Sequence, residues 1–215
     1  MAEDEASSGS ERTTDPDGDD GDRGRPDLAD QRGVERVYQP AEDSRLLAEA
    51  ATGFVEPGDR ALDVGTGSGY VAEALSAAGA DVLASDVNPH ACRQARERGV
   101  AAVRADLVAP FREDAFDVVT FNPPYLPTDE DREWDDWMEE ALSGGRDGRR
   151  LIDPFLEDLH RVLVPGGLGF VVLSSLTGID GVRDYARRNG LLTREVASEK
   201  HPYERLVVLE LTANH

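Results

Sequence analysis

From residue 41 onward the chain alternates short apolar runs with segments of helical periodicity, and this pattern limits the possible folds most strongly. The runs typical of strands are "RALDVG", "DVLASD", "VAAVRADL", "FDVVTF" and "LGFVVLSS". Strands that alternate with helices of about 10 to 15 residues form an α/β domain with a largely parallel sheet. The last two runs, "LLTREVAS" and "RLVVLELT", are separated only by "EKHPYE", so we expect an antiparallel hairpin at the C-terminus.

Two helices carry clear boundary signals. In "NPHACRQARERG", Asn88 is a suitable N-cap, Pro89 occupies the first helical position and Gly99 ends the helix. A second helix is predicted from Leu151 onward by its apolar periodicity, and "PGG" at 165–167 is predicted to end this helix before the next strand.

The N-terminal segment differs sharply from the rest of the chain. Residues 1–33 contain eleven acidic and four basic residues among Ser, Gly, Thr and Pro. Such a segment cannot bury enough apolar surface to offset its ordering entropy, so we predict a disordered acidic tail. Residues 34–215 are predicted to form one folded domain. Because the chain shows neither a signal-peptide pattern nor an apolar run of about 18 residues, we expect a cytoplasmic protein without a membrane partner.

The composition is strongly acidic. The net charge is −21, and Lys200 is the single lysine among 23 basic residues. This charge argues against nucleic acid as a partner, because phosphate binding requires Lys/Arg clusters. Abundant carboxylates with almost no lysine are, however, typical of proteins adapted to high salt. At molar salt the Debye length is about 3 Å, so the acidic surface is screened and the overall charge says little about the partner. The lone Cys92 excludes an intrachain disulfide and a Cys-based metal cluster, and no metal site is predicted.

A glycine-rich loop follows the first predicted strand. "LDVGTGSGY" places Gly65, Gly67 and Gly69 between this strand and its helix. Glycines permit positive φ and a close approach of the backbone to a ligand, and open α/β sheets bind ligands at the carboxyl ends of their strands. The G-x-G-x-G spacing differs from the dinucleotide fingerprint, and the sequence contains no P-loop motif.

Carboxylates end the next two predicted strands. Asp86 is suited to hydrogen-bond ribose hydroxyls, and Asp106 could accept from an adenine amino group while the Leu107 backbone meets the ring edge. Either aspartate alone is better explained as a helix cap or a solvated turn residue. Together with the glycine loop, however, they mark the carboxyl ends of neighbouring strands. The combination predicts an adenosine-bearing ligand without phosphate contacts, and S-adenosyl-L-methionine is the candidate.

The motif order "DVGTGSG…SDVNP…ADL…FNPPY" resembles that of the Rossmann-like class I S-adenosylmethionine-dependent methyltransferases, and "NPPY" is similar to that of enzymes that methylate planar or amide nitrogens. "VYQPAEDSRLL" (37–47) and "SGGRDGRRLIDPFL" (143–156) are similar to the HemK family of protein-glutamine methyltransferases, in particular its archaeal and eukaryotic branch. The resemblance extends over residues 34–213. It implies a seven-stranded, mostly parallel sheet in the order 3-2-1-4-5-7-6.

The resemblance also implies which residues hold the cofactor. The set consists of Ser44, Asp63, Gly65, Gly67, Asp86, Asp106, Leu107 and Asn122. Ser44, Asp63 and Gly65 would line its methionine side. Asp86 would hold the ribose, and the Asp106–Leu107 pair would hold the adenine. Asn122 would lie beside the sulfonium and bind the substrate amide.

The "NPPY" segment suits methylation of an amide nitrogen. Such a nitrogen is a poor nucleophile because its lone pair is delocalised, so an in-line displacement depends on positioning. The Asn122 side-chain oxygen and the Pro123 carbonyl can accept both hydrogens of an incoming NH₂, and proline fixes the carbonyl direction without adding a donor. Tyr125 can pack against the flat face of the amide. We therefore predict Asn122, Pro123 and Tyr125 as the catalytic residues, without a metal or strong base.

The resemblance implies a substrate and a partner. The substrate would be the glutamine of the GGQ motif in the class-1 translation release factor. The partner would be a small zinc-binding activator protein that forms a heterodimer with this chain. The strand at 100–107 is expected at the sheet edge, where an unpaired strand is suited to pairing with a strand of another protein.

Three alternatives compete with this function. RNA or DNA amino-group methyltransferases also use N-P-P-Y but need a basic channel or a recognition domain, and only Arg146, Arg149 and Arg150 form a tight basic cluster. A small-molecule methyltransferase usually lacks N-P-P-Y, and a non-catalytic scaffold does not require Asn122. Trp134 and Trp137 lie in the acidic loop after this motif, where they either contact a protein substrate or anchor the loop.

Overall fold

The computed structural model describes Val37, residues 41–125 and residues 143–214. The strands are β1 (Arg60–Val64), β2 (Asp81–Asp86), β3 (Ala101–Arg104), β4 (Phe116–Phe121), β5 (Leu163–Ser174), β6 (Leu191–Lys200) and β7 (Arg205–Ala213). The helices are α1 (Glu42–Thr52), α2 (Tyr70–Ala77), α3 (Pro89–Glu97), α4 (Ile152–Val162) and α5 (Ile179–Arg188). The predicted tail at 1–33 and the acidic loop with Trp134 and Trp137 lie outside the described residues, so those interpretations stay predictions.

One seven-stranded sheet has the order β3-β2-β1-β4-β5-β7-β6. The pairs from β3 to β5 are parallel, whereas β7 runs antiparallel to both β5 and β6. The predicted strand order and C-terminal hairpin are therefore confirmed. From β1 the chain adds β2 and then β3 on one side of β1, and it then returns to add β4 and β5 on the other side. The strand order therefore reverses between β1 and β4. In open α/β sheets this reversal creates a ligand-binding crevice at the carboxyl ends of the strands.

Helices cover both faces of the sheet. Apolar side chains of α1, α2 and α3 form one buried cluster with the first face, and those of α4 and α5 form a second cluster with the opposite face. The central strands are buried on both sides, which explains why β4 reads as the nearly continuous apolar run "FDVVTF". No helix in the described ranges is long and apolar enough to cross a membrane.

Some predicted boundaries were wrong. The third strand ends at Arg104, so Asp106 and Leu107 lie in the turn that follows it. The "PGG" segment does not separate α4 from a later strand, because β5 begins at Leu163 and includes it. The register of β4 with β5 shifts here, and a Cβ on Gly167 would lie only 3.1 Å from the Phe116 carbonyl oxygen. Glycine therefore permits a close backbone approach within the sheet. The predicted Asn88 N-cap is confirmed, since its side chain accepts from the His90 amide at 2.9 Å.

Gly69 joins the glycine loop to α2 and provides a test of helix packing. Its φ is +84°, and an added Cβ would lie 2.9 Å from the Cα of Ala95 on α3. We expect Gly69→Ala to lower the free energy of unfolding by about 2–4 kcal/mol in urea denaturation. Gly99→Ala is the matched control, because its φ is +83° with no atom within 4 Å of the new Cβ. The control should lose only about 1–2 kcal/mol of left-handed strain, and equal losses would contradict the steric explanation.

Candidate active site

A pocket of about 280 Å³ opens at the carboxyl ends of β1, β2 and β4. All eight residues predicted to bind the cofactor contribute to its wall: Ser44, Asp63, Gly65, Gly67, Asp86, Asp106, Leu107 and Asn122. Among the residues predicted to be catalytic, Asn122 lines the pocket. Pro123 is buried and does not line the pocket, whereas Pro124 does.

Asp86 holds the glycine loop against the end of β2. Its Oδ2 accepts from the Gly67 amide at 2.9 Å and its Oδ1 accepts from the Asn88 amide at 2.8 Å. A carboxylate has about four lone-pair sites, so these bonds are compatible with further acceptance from ribose hydroxyls. The sequence indicated only the ribose role and did not indicate that Asp86 also shapes the loop.

Asp63 is a buried carboxyl group at the floor of the pocket. Its oxygens accept from the hydroxyls of Thr66 at 2.6 Å and Thr120 at 2.8 Å. Burial raises the pKa of Asp63 to about 6, because desolvation outweighs the two hydroxyl donors and the negative charge of Asp86 adds to the effect. A carboxylate in this environment favours a cationic ligand group. The bond from Thr120 to Asp63 could not be predicted from the sequence.

Leu107 also lines the pocket and has an unusual backbone conformation. Its φ is +45°, and within the described ranges only Asp114 shares a positive φ among non-glycine residues. A bulky side chain in this region costs about 1–2 kcal/mol. Leu107 also packs against the core cluster beneath the sheet, which offsets this cost. Conformational strain of this kind occurs frequently where backbone is held against a ligand.

The "NPPY" segment begins where β4 ends. The Asn122 Nδ2 donates to Ser44 Oγ at 3.1 Å. Its Oδ1 is buried and has no hydrogen-bond partner among the residues that the structure describes. The Tyr125 hydroxyl donates to Asp43 Oδ2 at 3.1 Å. The Tyr125 hydroxyl is thus hydrogen-bonded to Asp43 of α1. The prediction that the Tyr125 ring packs against the substrate amide did not include this bond.

The "SGGRDGRR" loop packs directly on the "NPPY" segment. Gly148 has φ +73°, and an added Cβ would lie 2.5 Å from the Tyr125 carbonyl oxygen. Arg149 pairs with Asp153 at 2.8 Å, and the Arg150 guanidinium donates to the Ser143 carbonyl at 3.0 Å. These two arginines therefore hold the loop in place, and Arg150 also lines the pocket. The loop was noted in the sequence only for its resemblance; the structure explains why glycine stands at 148.

The pocket has the features that S-adenosylmethionine requires. Asp63 supplies buried negative charge for a cationic group, Asp86 supplies acceptors, and Asn122 supplies a buried acceptor at the wall. This combination, at the switch point of a sheet with the order 3-2-1-4-5-7-6, defines a class I methyltransferase. Comparison with known proteins narrows the class.

The family described as "Methyltransferase domain" matches residues 62–123. The chain is 36% identical to MJ0928 of Methanocaldococcus jannaschii, whose name places it among protein N5-glutamine methyltransferases, over 80% of this chain and 90% of that protein. It is 32% identical to methyltransferase HEMK2 of Homo sapiens, over 82% of this chain and 89% of the human protein. The release factor glutamine methyltransferase of Thermodesulfovibrio yellowstonii is 29% identical over 71% of this chain and 60% of its own length.

Among solved structures, the E. cuniculi Mtq2–Trm112 complex, responsible for methylation of the eRF1 translation termination factor, superposes with a TM-score of 0.70 and 28% identity. The match covers 83% of this chain and 99% of that one. The chain therefore belongs to the HemK family of protein-glutamine methyltransferases. Its cofactor is S-adenosyl-L-methionine, as the resemblance implied.

Proposed function

We propose that this protein methylates the side-chain amide nitrogen of the GGQ glutamine in the class-1 translation release factor. The observation that carries this proposal is the Asn122 Oδ1, a buried acceptor in the pocket wall that lacks a partner in the described part of the chain. A buried acceptor without a partner costs about 1–3 kcal/mol. The NH₂ of a substrate glutamine would relieve this cost on binding.

In this proposal the chain acts mainly by positioning. The bound cofactor supplies a methyl group on a positively charged sulfur. The Asn122 Oδ1 and the Pro123 carbonyl would accept the two hydrogens of the substrate NH₂, which turns the nitrogen lone pair toward the methyl group. Tyr125 would cover the flat face of the amide, with its ring orientation fixed by the bond to Asp43. The eight pocket residues predicted from the sequence would hold the cofactor.

The relatives support the choice of substrate. Two of the names given above specify glutamine, and the E. cuniculi structure is of a complex that methylates a termination factor. The arrangement of arginines does not favour nucleic acid, since Arg149 is paired with Asp153 of α4 and Arg150 donates to the Ser143 carbonyl of its own loop.

We also propose that a small zinc-binding activator adds a strand to the free edge of β3 and forms a heterodimer with this chain. β3 pairs with β2 on one side, and no strand of the described residues pairs with its other side. Ala101 and Val103 are exposed on β3, whereas Ala102 points into the core. An exposed edge with apolar side chains is suited to β-strand addition. The E. cuniculi relative, which forms a complex with Trm112, supports this partner.

The β3 edge can be tested with one charged substitution. Val103 is 37% exposed, so Val103→Glu should leave the core intact but place a charge in the interface. We expect at least about tenfold weaker binding of the activator in a titration. Leu192→Glu on β6, the opposite edge of the sheet, is the matched control and should bind normally. Equal affinity of both variants would refute the proposed interface. Val100 is unsuitable for this test, because it is buried.

The substrate can be tested with labelled methyl donor. The full chain, with and without the activator, is incubated separately with release factor, with release factor carrying Ala in place of the GGQ glutamine, and with RNA. Label on the intact release factor alone is the expected result. Label on RNA, or equal labelling of the two release factors, would overturn the proposed function.

A further inference from the structure

We propose that Asp43 is a positioning residue that determines which end of the Asn122 carboxamide faces the substrate. This inference rests on the proposed function and adds a residue to which the motifs gave no role. Asp43 is buried, with 4% of its surface exposed, in the first turn of α1. Asp43 does not itself line the pocket, and we argue that it acts on Asn122 through Ser44.

A continuous chain of hydrogen bonds connects Asp43 to Asn122. The Asn122 Nδ2 donates to Ser44 Oγ at 3.1 Å, and Ser44 Oγ donates to Asp43 Oδ1 at 3.2 Å. The second oxygen, Asp43 Oδ2, accepts from the Tyr125 hydroxyl at 3.1 Å. One buried carboxylate therefore bonds directly to Tyr125 at one end of the "NPPY" segment and is linked through Ser44 to Asn122 at the other.

The donor and acceptor inventory fixes the direction of these bonds. A serine hydroxyl has a single hydrogen, and a carboxylate can only accept. Because Asp43 takes the Ser44 hydrogen, Ser44 Oγ is left as an acceptor toward Asn122. The Asn122 Nδ2 must then face Ser44, and Oδ1 is directed away from it. This orientation accounts for the buried Oδ1 that lacks a partner in the described residues.

Removal of Asp43 would release this constraint. The Ser44 hydroxyl could then donate to Asn122 Oδ1, and a carboxamide occupies nearly the same space in both orientations. A reversed Asn122 would present its own NH₂ to the NH₂ of the substrate, so that two donors would meet. The cofactor pocket would keep its shape, but the acceptor that orients the substrate nitrogen would be lost.

A simpler role for Asp43 is support of the α1 N-terminus, where acidic residues stabilise the helix dipole. Glu42 lies in the same turn and would share that role, but it is exposed. Burial and the bonds to Ser44 and Tyr125 distinguish Asp43 from its neighbour. Glu42→Gln is therefore the matched control for a general charge effect.

The kinetic test uses the full chain with its activator and saturating cofactor. We expect Asp43→Ala to lower kcat by about 10²-fold, with KM for the release factor and Kd for the cofactor changed less than about threefold. Asp43→Asn retains an oxygen that can accept from Ser44 and should recover about tenfold of this loss. Because Asp43 orients Asn122 through Ser44, adding Asp43→Ala to Ser44→Ala should cause only the smaller loss that follows from releasing the Tyr125 hydroxyl, less than about tenfold. A further 10²-fold loss in the double variant would overturn the inference.

A second measurement needs no substrate. In the wild type, the Asn122 side-chain NH₂ should give NMR signals protected from solvent exchange, and Asp43→Ala should shift them and remove the protection. Unchanged signals would overturn the inference even if activity falls. If the wild-type protein transfers no labelled methyl group to the release factor, the proposed function fails. The NMR measurement on Asn122 still decides the role of Asp43 in that case. If Asp43→Ala does not fold, Asp43→Asn in the same two experiments decides it.

Discussion

Replacing Asn122 by Ala is expected to lower kcat by about 10²–10³-fold, the usual effect of removing one positioned hydrogen-bonding group from an active site. The substitution removes the acceptor for the substrate NH₂ and also the donor to Ser44. Cofactor affinity should change only a few-fold, because Asp63 and Asp86 remain in place. Single-turnover methylation and calorimetric titration of the cofactor measure the two effects separately.

Two further variants make this result specific. Asn122→Asp keeps an acceptor but places a carboxylate beside Ser44 Oγ, whose hydrogen is used by Asp43, so we expect a loss similar to that of Asn122→Ala. Asn189→Ala is the control, because this asparagine caps α5 with a bond to the Tyr185 carbonyl and lies outside the pocket wall. If Asn122→Ala retained kcat within about tenfold of the wild type, Asn122 would not be the group that orients the amide.

The fold was largely predictable because its signals are local or repeat along the chain. Apolar runs, the Asn88 cap and the missing helix between β6 and β7 are all visible in consecutive letters. The errors occurred where a contact between distant segments decides the structure. The Pro165–Gly167 segment signals a helix end by composition, yet the close approach of Gly167 to the Phe116 carbonyl keeps it within the sheet.

In the candidate site, too, local sequence signals could be predicted and contacts between distant segments could not. The residues at the pocket wall follow strand ends in the sequence, so their positions could be predicted from the order of motifs. The supporting residues could not, because their partners are far away in sequence. Asn122 is 78 positions from Ser44, and Tyr125 is 82 positions from Asp43. A buried carboxylate in "AEDS" is indistinguishable by local pattern from an ordinary acidic residue of a first helical turn.

The stability of the protein without cofactor should depend on pH through Asp63. Its pKa is raised from 3.8 to about 6 because the group is buried. A raised pKa means that its stabilising contribution is complete below pH 3.8 and is lost as the pH rises through 6. At about 1.4 kcal/mol per pH unit, the loss amounts to about 3 kcal/mol. We expect the difference in unfolding free energy between wild type and Asp63→Asn to fall by this amount between about pH 4 and pH 7 in urea denaturation at high salt. If the difference in unfolding free energy between wild type and Asp63→Asn did not change with pH, the raised pKa of Asp63 would be contradicted.

Cofactor binding should show the opposite pH dependence if Asp63 faces the methionine end of the ligand. A nearby ammonium group stabilises the ionised carboxyl, so binding releases a proton below pH 6 and affinity rises with pH. The gain should reach up to about 10²-fold between about pH 4 and pH 7, where the α-ammonium of the ligand stays protonated. 5′-Methylthioadenosine, which lacks the amino-acid end, is the matched ligand and should bind with nearly constant affinity. The same pH dependence for both ligands would contradict the assignment of the titrating group to Asp63 at the methionine end. Asp63→Asn should remove the dependence for S-adenosylmethionine without altering that of methylthioadenosine, because only the former ligand carries the charge that the buried carboxyl attracts.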